Sequence, residues 1–217
     1  MIDGTWEERH TLPDGTEVLL RALRPDDAAA LRAGFQRLSP ESRYRRFLSM
    51  LPTLSDEMVR YLTEVDGERH VAIVAGVVSP DLKSEEGVAV ARYVRLPDEP
   101  DVAEAAVTVV DDFQSKGLGK LLLSTLVRDA ADRGIQKFRA EVLPSNVAVQ
   151  GLLTSVGAVE RERTCDSVIY DIPIPDGDEH ELRWKALFEL LKHAASSVAL
   201  VFRHWWFERH PEDPGKG

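Results

Sequence analysis

The chain has 217 residues, a formal net charge of -10 and an isoelectric point near 5.1. Its 43% hydrophobic and 29% charged residues exclude a disordered polymer. The acidic balance argues against a nucleic-acid partner, which needs a basic field along phosphates, and a single cysteine, Cys165, excludes an internal disulfide or a cysteine-rich zinc site.

The opening residues have neither a basic nor an apolar targeting region. The apolar stretch 194–202 is too short for a bilayer and is flanked by Lys192, His193 and Arg203. The expectation is a cytoplasmic protein with no membrane contact. In chain order, the turn Pro13-Asp14-Gly15 precedes a strand over 17–23. Pro25-Asp26-Asp27 opens a helix to about Leu38, with acids where the helix dipole favours them. Ser39-Pro40-Glu41-Ser42 starts a second helix, and Ser55-Asp56-Glu57 caps a short third one that ends near Val65-Asp66-Gly67.

Strands follow over 70–78, 87–95 and 102–110, joined by short turn-rich connections that imply an antiparallel meander. After Gly117, the positions Leu118, Leu121, Leu122, Thr125, Leu126 and Ala130 mark one face of a helix that stops at Arg133-Gly134. A strand over 137–143, a helix over 146–156 stopped by Gly157, and strands over 159–164 and 168–172 complete the series. This order predicts a mixed α/β sheet with one crossover. A Pro/Asp-rich linker then leads to an amphipathic helix over 181–207, with Trp184, Leu187, Phe188, Leu191, Ala195, Val198, Phe202 and Trp205 on one stripe. The expected division is a catalytic domain over 1–175 and a linker plus C-terminal helix over 176–217. That helix either packs on its own domain or makes a homodimer contact.

The chemistry concentrates in residues 107–120. A valine-rich strand runs into a turn holding Gly117 and Gly119, then into a helix. Backbone N–H groups at such a helix start converge on one spot, and the dipole favours an anion there. The stretch is not a Walker loop, and Leu122 stands where a dinucleotide fingerprint has its third glycine. On these residues alone, an anion cradle and an ordinary helix start both remain open.

The run Gln114-Ser115-Lys116-Gly117-Leu118-Gly119 resembles the [Arg/Gln]-x-x-Gly-x-[Gly/Ala] phosphate loop of the GNAT superfamily of N-acetyltransferases, and the preceding valine strand and Asn146 agree with it. The resemblance covers about residues 18–172. It implies a GNAT-type mixed, mostly antiparallel sheet with flanking helices, and acetyl-CoA as cosubstrate. By this likeness Val107 and Val109 would lie along the pantetheine, Gln114, Ser115, Lys116, Gly117, Leu118, Gly119 and Lys120 would hold the pyrophosphate, and Asn146 would contact the pantetheine or phosphate region. Further stretches, Leu23-Arg24-Pro25-Asp26-Asp27, Leu38-Ser39-Pro40-Glu41-Ser42 with Arg46-Phe47, Ala91-Arg92-Tyr93-Val94 and Ala103-Glu104-Ala105-Ala106-Val107, are similar to bacterial protein lysine acetyltransferases that act on acyl-CoA ligases such as acetyl-CoA synthetase. Many of those carry a regulatory domain, for which this chain has no room.

An acceptor lysine is an ammonium near pKa ~10.4 and needs deprotonation before it can attack. Glu104 is the expected catalytic base: small alanines surround it, and the resemblance places the base here. Asp111 and Asp112 are weaker competitors, being a like-charged pair beside the phosphates. By family likeness the Val109 N–H would stabilise the oxyanion. Many family members protonate the leaving sulfur with a tyrosine where this chain has Leu153, so no general acid is named. Cys165 has no paired histidine nearby and reads as inert, and the histidines show no metal spacing. Arg43-Tyr44-Arg45-Arg46 reads either as a solvated helix face or as an acceptor-docking surface. The leading reading is acetyl transfer to a protein lysine. Acetylation of a small amine and a catalytically silent acyl-CoA-binding module are the alternatives.

Overall fold

The turn Pro13-Asp14-Gly15 closes a hairpin. In the computed structural model, strand β1 (Glu7–Thr11) enters it and β2 (Glu17–Ala22) leaves it. The structure describes residues 1–47, 50–78, 85–155 and 157–174. β1 escaped the sequence reading because its residues, Glu-Glu-Arg-His-Thr, have no apolar face. It is an edge strand, and charged side chains on an edge discourage pairing with another chain.

A single 3₁₀ turn (Pro25–Asp27) leads into helix α1 (Ala28–Gln36), which ends slightly earlier than expected. Helix α2 (Pro40–Phe47) follows, then α3 (Asp56–Thr63), whose Ser55 hydroxyl accepts from the Met58 N–H at 3.1 Å as an N-cap. The meander consists of β3 (His70–Val78), β4 (Glu85–Arg95) and β5 (Val102–Val109). Helix α4 (Leu118–Asp132), β6 (Lys137–Val142), α5 (Val147–Ser155), β7 (Val159–Arg163) and β8 (Val168–Pro173) complete the described chain.

These strands form one sheet in the order β1-β2-β3-β4-β5-β6-β8-β7. Only the β5–β6 pair is parallel, as the α4 crossover requires. Alternation along β4 divides the helices between the two faces. Tyr93 donates its hydroxyl to Asp129 of α4 at 2.7 Å, whereas its neighbour Arg92 points the other way and donates to the Leu62 carbonyl of α3 at 3.0 Å. The α4 face buries Ala103, Ala105 and Val107 of β5 against Leu118, Leu122 and Leu126. The expected linker and C-terminal helix over 176–217 lie outside the described residues, as does position 175.

Candidate active site

β5 and β6 pair only at Val102, Ala103 and Glu104, against Lys137, Phe138 and Arg139. Beyond Glu104 both strands continue, β5 to Val109 and β6 to Val142, without further pairing between them. The sheet is therefore split at its centre by a gap that opens from Glu104 toward the start of α4.

The groups facing that gap follow from strand alternation. Val110 N–H donates to Val88 O, and Leu96 N–H to Val102 O, both at 2.9 Å. The even-numbered residues of β5 thus turn their backbone groups to β4, and those of Ala105, Val107 and Val109 face the gap. Such groups call for a hydrogen-bonding partner. A bound ligand laid along the strand would supply one.

The loop after β5 is held shut from within. Gln114 Nε2 donates to Val109 O and to Asp111 Oδ1, each at 3.2 Å, which ties the loop to the strand. Asp111 Oδ2 accepts from the Ser39 N–H at 3.2 Å, which links the loop to the α1–α2 connection. The sequence reading placed Gln114 among ligand contacts; its side-chain amide is used to position the loop. Lys116 pairs with Asp14 at 3.1 Å and lies 4.9 Å from the Phe113 ring centroid. Ser115 and Gly117 adopt the left-handed region, with φ of 62° and 88°. For Gly117 that conformation is itself a reason for glycine.

Gly117 caps α4 without a side-chain hydrogen bond, and the first turn of the helix carries no acidic residue. The Leu118 side chain is buried in the core, so that residue can offer a ligand only its amide. An N-terminus without a side-chain cap, with a positive dipole end and no competing carboxylate, is an arrangement able to accept an anion. Val109 Cγ2 is 3.8 Å from where a Cβ on Gly119 would stand, an ordinary contact, so Gly119 is not needed to relieve crowding in the ligand-free loop.

Glu104 is 5% exposed and sits at the last paired position before the strands part, across from Val94 on β4 and Arg139 on β6. Arg139 directs Nε to Asp171 Oδ1 at 2.8 Å and Nη1 to Glu99 Oε1 at 2.6 Å. The Arg139 hydrogen bond foremost holds the Glu99 carboxyl down to about 2, so Glu99 is a fixed anion and no candidate base. Asn146 Oδ1 accepts from the Val149 N–H at 3.4 Å at the start of α5, a capping geometry beside any contact to a ligand. Leu153 is buried in the core and offers no proton. Cys165 is exposed. Among the described residues no cluster of His, Cys, Asp and Glu could hold a metal ion, and no helix is long and apolar enough to cross a membrane.

Within the basic run at 43–46, Arg43 is half-buried and Arg46 buried, while Tyr44 is exposed. Arg43 donates to the carbonyls of Leu38, Gln36 and Pro52 and lies 4.7 Å from the Phe35 ring centroid. Periodicity alone could not show this, because the polar residues of α2 crowd one short helix. Arg92 entered the sequence reading only within Ala91-Arg92-Tyr93-Val94, with no role given to its charge. Its signal was a lone charge in the Val/Ala alternation of a central strand.

A sheet split after its central pair, with a helix N-terminus at the open end and a buried glutamate at the closed end, defines an acyl-CoA-dependent transferase fold. The chain belongs to the acetyltransferase (GNAT) family, whose model matches residues 28–158. It is 34% identical over 162 residues to acetyltransferase Pat of Mycolicibacterium smegmatis, a match covering 73% of this chain and 46% of that protein. It is 33% identical over 162 residues to acetyltransferase PA5475 of Pseudomonas aeruginosa, covering 75% of this chain and 84% of that one. The chain thus spans about half the length of the first of these relatives. Among solved structures, the GNAT domain of S. lividans PAT superimposes with a TM-score of 0.68 at 29% identity, covering 80% of this chain and 99% of that domain.

Proposed function

We propose that this chain transfers the acetyl group of acetyl-CoA to a lysine side chain of a protein, directly within a ternary complex. The observation that carries this reading is the position of Glu104 at the fork where β5 and β6 part, at the head of the gap faced by the Val107 and Val109 backbone groups. The similarity of the stretches at 23–27, 38–47, 91–94 and 103–107 to bacterial protein lysine acetyltransferases supports a protein acceptor, with an acyl-CoA ligase as the class to try first.

In this reading the pantetheine hydrogen-bonds to the backbone of Val107 and Val109. The pyrophosphate sits on the loop amides from Gln114 to Lys120, and Asn146 lies beside it. Glu104 takes a proton from the acceptor ammonium, directly or through water. The neutral amine attacks the thioester carbonyl, and the Val109 N–H stabilises the oxyanion as C–N bond formation precedes C–S cleavage. The coenzyme A thiolate leaves without a dedicated acid, which its pKa near ~8.5 permits. No nucleic acid, membrane or metal takes part, and the reaction is placed in the cytoplasm. In this reading residues 1–175 are the catalytic domain, and the C-terminal segment 176–217 either packs on that domain or makes a homodimer contact.

The test is an acceptor screen with radiolabelled acetyl-CoA, offering an acyl-CoA ligase and a polyamine series side by side. Label on ligase lysines, located by mass spectrometry, is the expected result. Label on polyamines alone would reassign the acceptor, and coenzyme A release with neither would reduce the chain to an acyl-CoA-binding module. Sedimentation of the full chain and of a chain lacking 177–217 tests the dimer contact: a full-length monomer at tens of micromolar excludes it.

A further inference from the structure

Behind β4 and β5, on the face away from α4 and shared by strand alternation with Glu104, lies a cavity to which the acetyl-transfer reading assigns no ligand. It opens to solvent, and the empty space it bounds, counting the part continuous with solvent, is about 720 Å³. Leu31 and Phe35 of α1, Leu54, Leu62 of α3 and Val74 of β3 make most of its wall apolar. Two buried guanidinium groups interrupt that wall, Arg46 of α2 at 5% exposure and Arg92 of β4 at 2%.

Neither arginine has an ion pair with a carboxylate among the described residues. Arg46 Nη1 is buried without any hydrogen-bond partner, and the guanidinium lies 4.8 Å from the Phe47 ring centroid. Arg92 meets only neutral groups, donating to Leu62 O at 3.0 Å and lying 3.1 Å from His70 Nε2. Asp27 also borders the cavity, but Arg21 engages both of its oxygens at 2.7 and 2.8 Å. Burial and the neighbouring Arg92 charge lower Arg46 to about 9, and burial lowers Arg92 to about 10, so both stay charged at neutral pH. Two unneutralised buried charges are a large liability in a folded chain. An anion entering the cavity removes it.

We propose that this cavity binds an organic monocarboxylate with an aliphatic body, its carboxylate on Arg46 and Arg92 and its hydrocarbon against α1 and α3. The planar fork of a guanidinium matches a carboxylate, and the apolar wall offers few donors for the remaining oxygens of a phosphate dianion. The cavity shares the Glu104 face of β5 through Ala106 and Thr108, but carboxylate binding on Arg46 and Arg92 stands or falls apart from the acetyl-transfer reading.

Calorimetry of the full chain with hexanoate, hexanol, hexylamine and inorganic phosphate tests it. Saturable binding of hexanoate alone is expected, weakened at least ~10-fold in Arg46→Met and unchanged in Arg128→Met, a remote exposed control on α4. Acetyl-CoA titrations on the same samples read the other site separately. Absence of saturable hexanoate binding, equal binding in Arg46→Met and wild type, or phosphate binding in preference to hexanoate each overturns the proposal. If Arg46→Met lacks a native near-ultraviolet circular dichroism spectrum, Arg46→Lys decides, because it keeps the charge and loses the fork: undiminished hexanoate affinity there also overturns it.

Discussion

Glu104 and Arg139 stand opposite one another at the last rung of the β5–β6 ladder, yet the Arg139 guanidinium spends its donors on Glu99 and Asp171. The cation nearest in register to the proposed base is thereby committed elsewhere. A carboxylate clamped by Arg139 would be held as an anion and be a poor proton acceptor. Glu104→Gln keeps the size and removes the base. Turnover should fall by ~10²–10⁴-fold with acetyl-CoA affinity intact. Wild-type turnover at neutral pH in this variant would assign the proton transfer to another group.

Gly117 has φ +88°, and a Cβ there would stand 3.7 Å from Pro13 Cδ. Space is available, but the backbone conformation disfavours a side chain. Gly117→Ala should cost ~1–2 kcal/mol of stability. Gly117→Glu adds a negative charge at the helix start, and acetyl-CoA binding should be lost beyond what the Ala variant loses. Calorimetry that finds equal acetyl-CoA affinity in the two folded variants would remove the phosphates from this turn.

Asp129 is 3% exposed and joins three parts of the chain. It accepts from the Ile2 N–H, from the Tyr93 hydroxyl at 2.7 Å and from Arg133 Nε at 2.9 Å. Burial foremost, then the Asp129 hydrogen bond, raises the Tyr93 phenol well above its ordinary value, so it stays a neutral donor. Asp129→Ala leaves a buried hydroxyl and a half-buried guanidinium without their acceptor. The expected loss is ~3–5 kcal/mol by denaturant unfolding. A loss below about 1 kcal/mol would mean water replaces the carboxylate.

His70 is buried, and desolvation foremost, then the Arg92 charge, pushes its pKa down to about 3. The unfolded chain takes up this proton near pH 6.5 and the folded chain does not, so the unfolded state binds more protons between about pH 3 and 6.5. Stability is therefore full above pH 6.5 and falls as the pH drops through that window, on the order of 2–3 kcal/mol by pH 4.5. His70→Gln should flatten this slope. An unchanged slope in the variant would assign the acid sensitivity to other groups.

The fold was legible where periodicity is strong. The β3–β5 meander and the α4 face declared themselves through Val/Ala runs and 3.6-residue spacing, and the Gly117 turn through its punctuation. β1 was not legible, because a charged edge strand carries no apolar alternation. The turn between β5 and α4 was readable from Gly117 and Gly119, but the latch made by Gln114 was not, since it depends on where Val109 turns its carbonyl. The gap beyond Glu104 was equally hidden. It arises from how far two strands remain paired, and no local pattern on either strand encodes that.

Arg46 gives the clearest opposition between stability and a use for the site. A buried guanidinium with an unpartnered Nη1 forgoes hydration without a counterion in return. Replacing buried ionic groups by apolar residues of similar volume commonly stabilises by ~1–4 kcal/mol. Met fills the Arg46 volume and keeps the contact with Phe47. Arg46→Met should therefore be more stable than wild type by about 2 kcal/mol, a rise of ~4–8 °C in melting temperature at this chain length. Saturating hexanoate should raise the wild type more than the variant, because the variant keeps only the Arg92 charge to neutralise. Differential scanning calorimetry of both proteins, with and without hexanoate, reads all four values. A lower melting temperature for Arg46→Met would show that the guanidinium already has a compensating partner within the chain.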